Sequence, residues 1–127
     1  EKRLINKNYE YKKESIMETN ISMQNFYAKY KKEELTILDV REIHEFNSGH
    51  IPSAQNLPLS ILGLDFPKLD KKQKYYIICQ AGDRSAKAYD FLGAQRFDII
   101  NIEGGMNSWP GEKNKILNNK NNQILLY

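Results

Sequence analysis

The chain has 127 residues, of which 40% are hydrophobic and 28% are charged, so it is long enough for one domain with a core of its own. Its formal net charge of +3 comes from lysines scattered among glutamates and asparagines, which favours solvated surfaces over a nucleic-acid-binding patch. The composition excludes a disordered chain, and no apolar run reaches the roughly 18 residues that a membrane span requires.

Composition divides the chain into three parts: a polar leader at residues 1–14, a domain at residues 15–112 and a polar tail at residues 113–127. The leader shows no sustained hydrophobic period, and we expect it to be flexible. The tail is rich in asparagine and lysine until its last four residues, Ile-Leu-Leu-Tyr. The central part must therefore supply most of the fold.

The first elements of this central part are an edge strand, a helix and a buried strand. Residues 15–17 predict a short edge strand. Apolar residues at helical spacing predict a helix from Ile21 to Lys32, with Asn20 or Ser22 as its N-cap. The short apolar run from Leu35 to Val40 predicts the first strand that is buried on both faces.

The signals that follow this strand are shorter. Residues Glu42 to Asn47 predict a helical turn that ends near Gly49. Residues 51–58 contain two prolines, which predicts a brief strand toward an edge of the sheet. Residues 59–64 predict a short helix, and residues 67–74 predict a charged loop or turn.

The second half predicts a repeating strand and helix pattern. Tyr75 to Cys79 is expected to be a central strand, Arg84 to Ala94 a helix of about three turns, and Asp98 to Ile102 the next strand. A sharp turn at residues 103–105 and the start of a last helix at residues 106–109 follow. Strands that alternate with helices at this spacing predict an α/β fold with a parallel sheet.

The only cysteine, Cys79, is the strongest candidate for chemistry. It ends a predicted strand at the carboxyl edge of the sheet, where ligands of α/β folds bind, and a glycine-containing turn and a helix start follow it. Unpaired N–H groups at a helix N-terminus favour the thiolate, which is the nucleophile. Backbone amides that curl around one centre form an anion-binding nest. We therefore predict Cys79 as catalytic and its neighbours as substrate-binding: Gln80, Ala81, Gly82, Asp83, Arg84 and Ser85.

The cysteine count also limits the other kinds of site. One thiol excludes an intrachain disulfide framework and a thiolate-rich zinc site, and with only His44 and His50 in the chain we expect no metal centre. An unpaired thiol is typical of a reducing compartment, which predicts a cytoplasmic location. A targeting segment upstream of Glu1 stays compatible with the sequence.

Several short motifs follow one another over about residues 35–110. They are Leu38-Asp39-Val40-Arg41, Glu45-Phe46, Gly49-His50-Ile51-Pro52-Ser53-Ala54, Asn56-Leu57-Pro58, the segment from Cys79 to Ser85, and Glu103-Gly104-Gly105-Met106 with Trp109. In this order and spacing they resemble the motifs of single-domain rhodaneses, in which the segment from Cys79 corresponds to the active-site loop and the last motif to the closing turn. The resemblance implies a rhodanese-like α/β fold, with a five-stranded, mainly parallel sheet, helices on both faces and a cysteine that forms a persulfide.

The chain departs from the family pattern at two places: in the active-site loop, which we call the cradle, and at the end of the helix that follows it. Arg96 stands where the family commonly has a glycine after the helix, so the end of that helix is expected to be built differently. Asp83 places a carboxylate beside the cradle, where it can repel a dianionic donor. Together with the uncharged Gln80, it favours a thiol persulfide over thiosulfate as donor.

The loop residues have competing interpretations. Arg84 either directs its guanidinium at a bound anion or at the loop carbonyls, or pairs with Asp39 or Glu45 to hold the loop from behind. Ser85 is interpreted as a cap at the helix start rather than a proton donor. Gly82 is expected to supply a backbone angle or a close approach that a Cβ would block.

Three residues are expected to support the site rather than to react. The resemblance implies that Asp39 and Arg41 brace the architecture, through charge-assisted hydrogen bonds. It also implies a structural hydrogen bond for His50 in the Gly-His-Ile-Pro turn, in place of a general-base role.

The resemblance predicts a sulfurtransferase. Sulfane sulfur would move from thiosulfate or a thiol persulfide to a thiophilic acceptor, a thiol or a protein, through a persulfide on Cys79. We expect no cofactor, no nucleic-acid partner and no membrane partner. The alternative is a rhodanese-fold binding or redox-regulatory module without turnover, in which Cys79 forms a sulfenate or a mixed disulfide. From Cys79 to Arg84 the loop has six residues, whereas in the related cysteine phosphatases it is one residue longer, so the resemblance argues against phosphatase or arsenate reductase activity.

Overall fold

The structure is a computed structural model that describes residues 19–118 and 124–126. The predicted leader at residues 1–14 and the predicted strand at residues 15–17 lie outside the described residues. Strands and helices alternate along the described part. In chain order they are β1 (Asn20–Ile21), α1 (Met23–Tyr30), β2 (Thr36–Asp39), α2 (Ile43–Ser48), β3 (Gln55–Asn56), α3 (Leu59–Asp65), a 3-10 turn (Phe66–Lys68), β4 (Lys74–Ile78), α4 (Asp83–Ala94), β5 (Asp98–Ile102), a second 3-10 turn (Gly105–Ser108), β6 (Ile116–Asn118) and β7 (Ile124–Leu126).

Five strands form one sheet in the order β1-β5-β4-β2-β3, and every pairing in it is parallel. The central strand β4 pairs with β2 on one side, where Asp39 aligns with Ile78, and with β5 on the other. Cys79 directly follows β4, so it lies at the carboxyl edge of the sheet. The predicted α/β class and the five-stranded sheet are confirmed.

Helices cover both faces of the sheet because side chains alternate along each strand. In β4, Tyr75 and Ile77 face one hydrophobic core, whereas Tyr76 and Ile78 face the other. The first core also contains Leu62 of α3 and two buried residues of α4, and the second contains α1 and Trp109. Cys79 continues the alternation into the first core, on the face that α4 covers.

Helix α1 begins directly after its N-cap residue, Ser22. The hydroxyl of Ser22 accepts the N–H of Asn25 at 3.1 Å, so the structure selects Ser22 over Asn20 as N-cap. The brief strand predicted between the two prolines is β3, which lies at an edge of the sheet. The helix predicted from Met106 is wrong, because the segment makes a single 3-10 turn before Pro110, which offers no N–H to continue it.

The end of α4 retains its left-handed residue without glycine. Arg96 has φ of 68° and donates its N–H to the carbonyl of Gly93 at 3.0 Å, while Phe97 donates to Leu92 at 3.1 Å. These two bonds form a Schellman motif, and Phe97 and Leu92 pack in the same core. The expectation that this helix end is built differently from the family pattern is therefore wrong, because it has the hydrogen bonds of a glycine-terminated helix with an arginine in the strained position.

Replacing Arg96 by glycine is expected to raise the free energy of unfolding by about 1 kcal/mol, because glycine adopts positive φ without the Cβ penalty. Chemical denaturation of the two proteins measures the difference. Arg96→Ala is the matched control, since it removes the long side chain and keeps the Cβ. An equal gain in Arg96→Ala would contradict the backbone explanation.

The segment after the second 3-10 turn rests against the domain. His50 and Asn114 exchange two backbone hydrogen bonds, at 3.0 and 2.9 Å, in an isolated antiparallel bridge. Strand β6 then pairs with β7 in an antiparallel register that joins Leu117 to Leu125. Among the residues that the structure describes, no helix has the length and apolar character that crossing a bilayer requires.

Candidate active site

Cys79 and the peptide after it are held by the second 3-10 turn. The N–H of Met106 donates to the carbonyl of Cys79 at 2.8 Å, and the N–H of Asn107 donates to the carbonyl of Gln80 at 3.0 Å. These bonds extend the sheet contacts past the end of β4. Cys79 itself is only 1% exposed, and it is part of the first hydrophobic core.

Gly105 makes this contact possible. A Cβ on Gly105 would lie 2.5 Å from the carbonyl oxygen of Cys79 and 2.6 Å from that of Gln80. Its φ of 59° is also in the left-handed region. The sequence identified a sharp turn here but not this close approach, for which the only local signal is a pair of glycines after a strand.

The sulfur receives a backbone hydrogen bond from its own loop. The N–H of Gly82 donates to Sγ of Cys79 at 3.0 Å. Gly82 is the N-cap of α4 and has φ of 115°, whereas a Cβ there would have one neighbour within 4 Å, the N of Gly104 at 3.9 Å. Of its two predicted roles the structure favours the backbone angle, which turns the N–H of Gly82 toward the sulfur.

Ser85 is the second polar group at the sulfur. It is fully buried, and its Oγ lies 3.4 Å from Sγ of Cys79. The hydroxyl donates to the carbonyl of Gly82 at 3.1 Å, so it closes the first turn of α4 without capping an N–H. The N-cap position that was expected for Ser85 belongs to Gly82.

Arg84 pairs with a carboxylate of α2. Its Nη1 donates to Oε1 of Glu45 at 2.5 Å, and its Nη2 donates to Oε2 at 2.8 Å. This bidentate geometry is the strong form of an arginine–carboxylate pair. Of the alternatives for Arg84, the structure shows the ion pair with Glu45, and Asp39 is not its partner.

Asp39 and Arg41 form a buried brace beneath the loop. The Nη2 of Arg41 donates to Oδ2 of Asp39 at 2.8 Å and to the carbonyl of Gly49 at 2.8 Å. Its Nη1 donates to Oε1 of Gln80 at 3.1 Å, and the Nε2 of Gln80 donates to Oδ1 of Asn107 at 2.7 Å. One arginine therefore connects the end of β2, the start of the loop at residue 49 and the cradle.

The remaining loop side chains, Ala81 and Asp83, are exposed at the mouth of the cradle. Asp83 is the first residue of α4, where a carboxylate interacts favourably with the helix dipole. In the described part of the chain, no group of three or more histidine, cysteine, aspartate or glutamate residues could hold a metal ion.

Comparison with known proteins agrees with this geometry. The model of the rhodanese-like domain family matches residues 22–112. The chain belongs to the rhodanese-like domain family. The match starts at the N-cap of α1 and ends beyond the second 3-10 turn, so it includes strands β2 to β5 of the sheet, the cradle and the segment that holds the cradle.

Two curated relatives come from Bacillus subtilis strain 168. The chain is 40% identical over 80 residues to "Putative sulfurtransferase YtwF", a match that covers 63% of this chain and 78% of the relative. It is 38% identical over 94 residues to "Putative sulfur carrier protein YrkF", covering 72% of this chain and 51% of the relative, so it spans about half of that protein. Sulfur transfer is the general activity that these names share.

Among solved structures, a rhodanese-related protein from Thermoplasma volcanium is similar over most of its length. The two chains superpose with a TM-score of 0.67 at 37% identity, which covers 72% of this chain and 89% of the other. The fold of this rhodanese-like domain is therefore shown by sequence and by structure.

His50 lies outside the cradle of the rhodanese-like domain. Its Nδ1 forms a hydrogen bond with the carbonyl of Phe46 at 2.7 Å, and its ring stacks on the ring of Phe46 at 3.7 Å. Its backbone pairs with Asn114. These contacts favour the structural role that was expected for His50, because they hold the turn between α2 and β3.

The Arg84–Glu45 pair predicts a pH dependence of stability. The bond from Arg84 lowers the pKa of Glu45 to about 2 from an ordinary value of 4.5, with a smaller contribution from the Glu42 N–H. A carboxyl with a lowered folded pKa stabilises the domain above the unfolded pKa, and this stabilisation is lost as pH falls toward the folded pKa.

We therefore expect wild type to be more stable than Glu45→Gln by about 1–2 kcal/mol at pH 7, a value reduced for the partial exposure of the pair. The gap should hold down to about pH 5 and close progressively between pH 5 and pH 2. Urea denaturation of both proteins across this range measures it. A gap that stays constant down to pH 2 would contradict the role of Glu45.

Proposed function

We propose that this rhodanese-like domain is a sulfurtransferase that carries sulfane sulfur on Cys79. The observation that supports it most is the position of Sγ, which lies at the base of a six-residue loop and accepts the N–H of Gly82 at 3.0 Å. The N-terminus of α4 begins in the same loop, so its dipole favours negative charge on the sulfur.

In the first half-reaction, the thiolate of Cys79 attacks the outer sulfur of thiosulfate or of a thiol persulfide. The sulfur–sulfur bond of the donor breaks, and its electron pair leaves with sulfite or with the donor thiolate. A new sulfur–sulfur bond makes Cys79 a persulfide. Loop amides stabilise the charge as it moves to the outer sulfur, in the manner of an oxyanion hole.

In the second half-reaction, a thiophilic acceptor attacks the outer sulfur of the persulfide and regenerates the Cys79 thiolate. Cyanide leaves as thiocyanate in an assay, and a small thiol or a protein thiol becomes a persulfide in the cell. The name of YrkF, a sulfur carrier protein, supports a protein acceptor. Because both steps use one residue, the kinetics should be ping-pong. We place the reaction in the cytoplasm, where Cys79 stays reduced.

The test is intact-protein mass spectrometry after incubation with a sulfane donor. Wild type should gain one sulfur atom on Cys79 and lose it when cyanide is added, whereas Cys79→Ser should gain none. This variant changes one atom of a buried residue, so a matching circular dichroism spectrum serves as its folding control. Absence of an adduct with every donor would reject the proposal. Labelling of Cys79 by dimedone without turnover would favour a redox-regulatory module instead.

A further inference from the structure

The cradle lacks a free cation on its own loop. Both ends of the Arg84 guanidinium bond to the carboxylate of Glu45, at 2.5 and 2.8 Å. Arg41 is only 3% exposed and bonds to Asp39, to the carbonyl of Gly49 and to the amide of Gln80. Each arginine next to the sulfur is thus neutralised by a carboxylate.

The mouth of the cradle carries negative charge. Asp83 is exposed one residue after Gly82. Glu103, also exposed, precedes Gly104, whose N lies 3.9 Å from where a Cβ on Gly82 would be. Glu42, the N-cap of α2, is half-buried and accepts the hydroxyl of Ser60 at 2.7 Å, so its carboxylate is already hydrogen-bonded.

Two exposed lysines are also near the mouth but not on the loop. Lys87 lies one helical turn beyond Asp83 on α4, and Lys113 packs on the backbone of Gly49. Neither lysine belongs to the loop that carries Cys79. A donor that enters the cradle therefore meets backbone N–H groups and, at the rim, the exposed carboxylate of Asp83, while both neighbouring arginines are paired with carboxylates.

The two candidate donors, thiosulfate and a thiol persulfide, differ in the charge that they bring into the cradle. In thiosulfate the sulfane sulfur is joined to a sulfonate, so two negative charges enter together and sulfite, a dianion, must leave. A thiol persulfide, R–S–SH, carries at most one negative charge and releases RS⁻, with its R group outside the loop. The second donor therefore depends less than thiosulfate on a cation to guide it in or to stabilise the leaving group.

We infer that the donor of Cys79 is a small-thiol persulfide rather than thiosulfate, and that Asp83 is a residue that sets this preference. The inference rests on the proposed function. In the step, Sγ of Cys79 attacks the outer sulfur of R–S–SH and the donor sulfur–sulfur bond breaks. RS⁻ leaves with the electron pair, and the proton stays on the outer sulfur of the new Cys79–S–SH.

The experiment compares kcat/KM for thiosulfate with kcat/KM for the persulfide of 2-mercaptoethanol, with cyanide as acceptor. Wild type should prefer the persulfide by at least about tenfold, and its kcat/KM for thiosulfate should rise with ionic strength as salt screens the rim. Asp83→Asn, of nearly equal size, should raise the ratio of thiosulfate to persulfide kcat/KM about fivefold. It should also reduce the salt dependence.

Glu33→Gln is the matched control. It removes the same charge from an exposed position before β2, at the opposite edge of the sheet, and should leave the ratio unchanged. A wild-type preference for thiosulfate, or an equal change of ratio in Glu33→Gln and Asp83→Asn, would overturn the inference while leaving sulfur transfer intact. Absence of a Cys79 adduct from either donor would instead overturn the proposed function, and this inference with it.

Discussion

Gly105→Ala is expected to lower the free energy of unfolding by more than about 3 kcal/mol and to reduce sulfur transfer at least about tenfold. The added Cβ would lie 2.5 Å from the carbonyl oxygen of Cys79 and 2.6–2.7 Å from the carbonyl of Gln80. These neighbours are backbone atoms of the cradle, so no side chain can move aside to relieve the contact. The φ of 59° adds strain for any residue with a Cβ.

Chemical denaturation and the cyanide assay measure the two effects. Gly63→Ala is the matched control, since Gly63 lies in α3 with nothing within 4 Å of its added Cβ. It should be neutral or stabilising by up to about 1 kcal/mol, because alanine is the better helix former. If Gly105→Ala fails to fold while Gly63→Ala folds normally, the prediction holds. Wild-type stability and activity in Gly105→Ala would contradict it.

Breaking the buried pair beneath the cradle is expected to cost about 3–5 kcal/mol. In Arg41→Met the methionine keeps much of the volume, but Asp39, which is fully buried, loses every side-chain partner in the pair. The carbonyl of Gly49 and the amide of Gln80 lose a donor as well. Since Gln80 begins the cradle, activity should fall together with stability.

A double-mutant cycle separates the pair from the volume change. Adding Asp39→Asn to Arg41→Met removes the unpaired charge and should recover at least about 1 kcal/mol of the loss. Lys68→Met provides the surface comparison, because Lys68 and Asp65 form an exposed pair at 3.4 Å, and it should cost less than about 0.5 kcal/mol. An Arg41→Met variant as stable as Lys68→Met would show that the brace has no energetic role.

Much of the fold could be predicted because the signals are local. The strand before Cys79 is apolar, its turn contains glycine and the helix after it has an apolar stripe, so the position of the sulfur at the sheet edge follows. The partner of Arg84 could not be chosen from the sequence. Asp39 and Glu45 are both acidic residues close to the loop, and the choice between them depends on tertiary contacts: Arg41 takes Asp39, which leaves Glu45 for Arg84.

Contacts between distant segments account for what the sequence did not reveal. Gly105 and Asn107 support the cradle only because β5 lies beside β4 and returns the chain to Cys79. In place of the last predicted helix the structure has a single 3-10 turn, because residues 104 and 105 both have positive φ and Pro110 follows. At residue 96 the end of α4 requires a left-handed backbone, and Arg96 adopts it with φ of 68° although it is not a glycine.

Some residues of the loop maintain its structure and others are exposed, which bears on how the donor specificity of this domain could change by substitution. Four loop residues form hydrogen bonds or adopt a backbone angle that keeps the loop in its conformation around the sulfur: Gln80, Gly82, Arg84 and Ser85. Ala81 and Asp83 are the exposed side chains of the loop, whereas Gln80 and Arg84 are half-buried. We expect substitutions at Ala81 and Asp83 to change the choice of donor and to leave the hydrogen bonds of the loop intact, so a small combinatorial library there is the natural starting point for engineering new donor specificities.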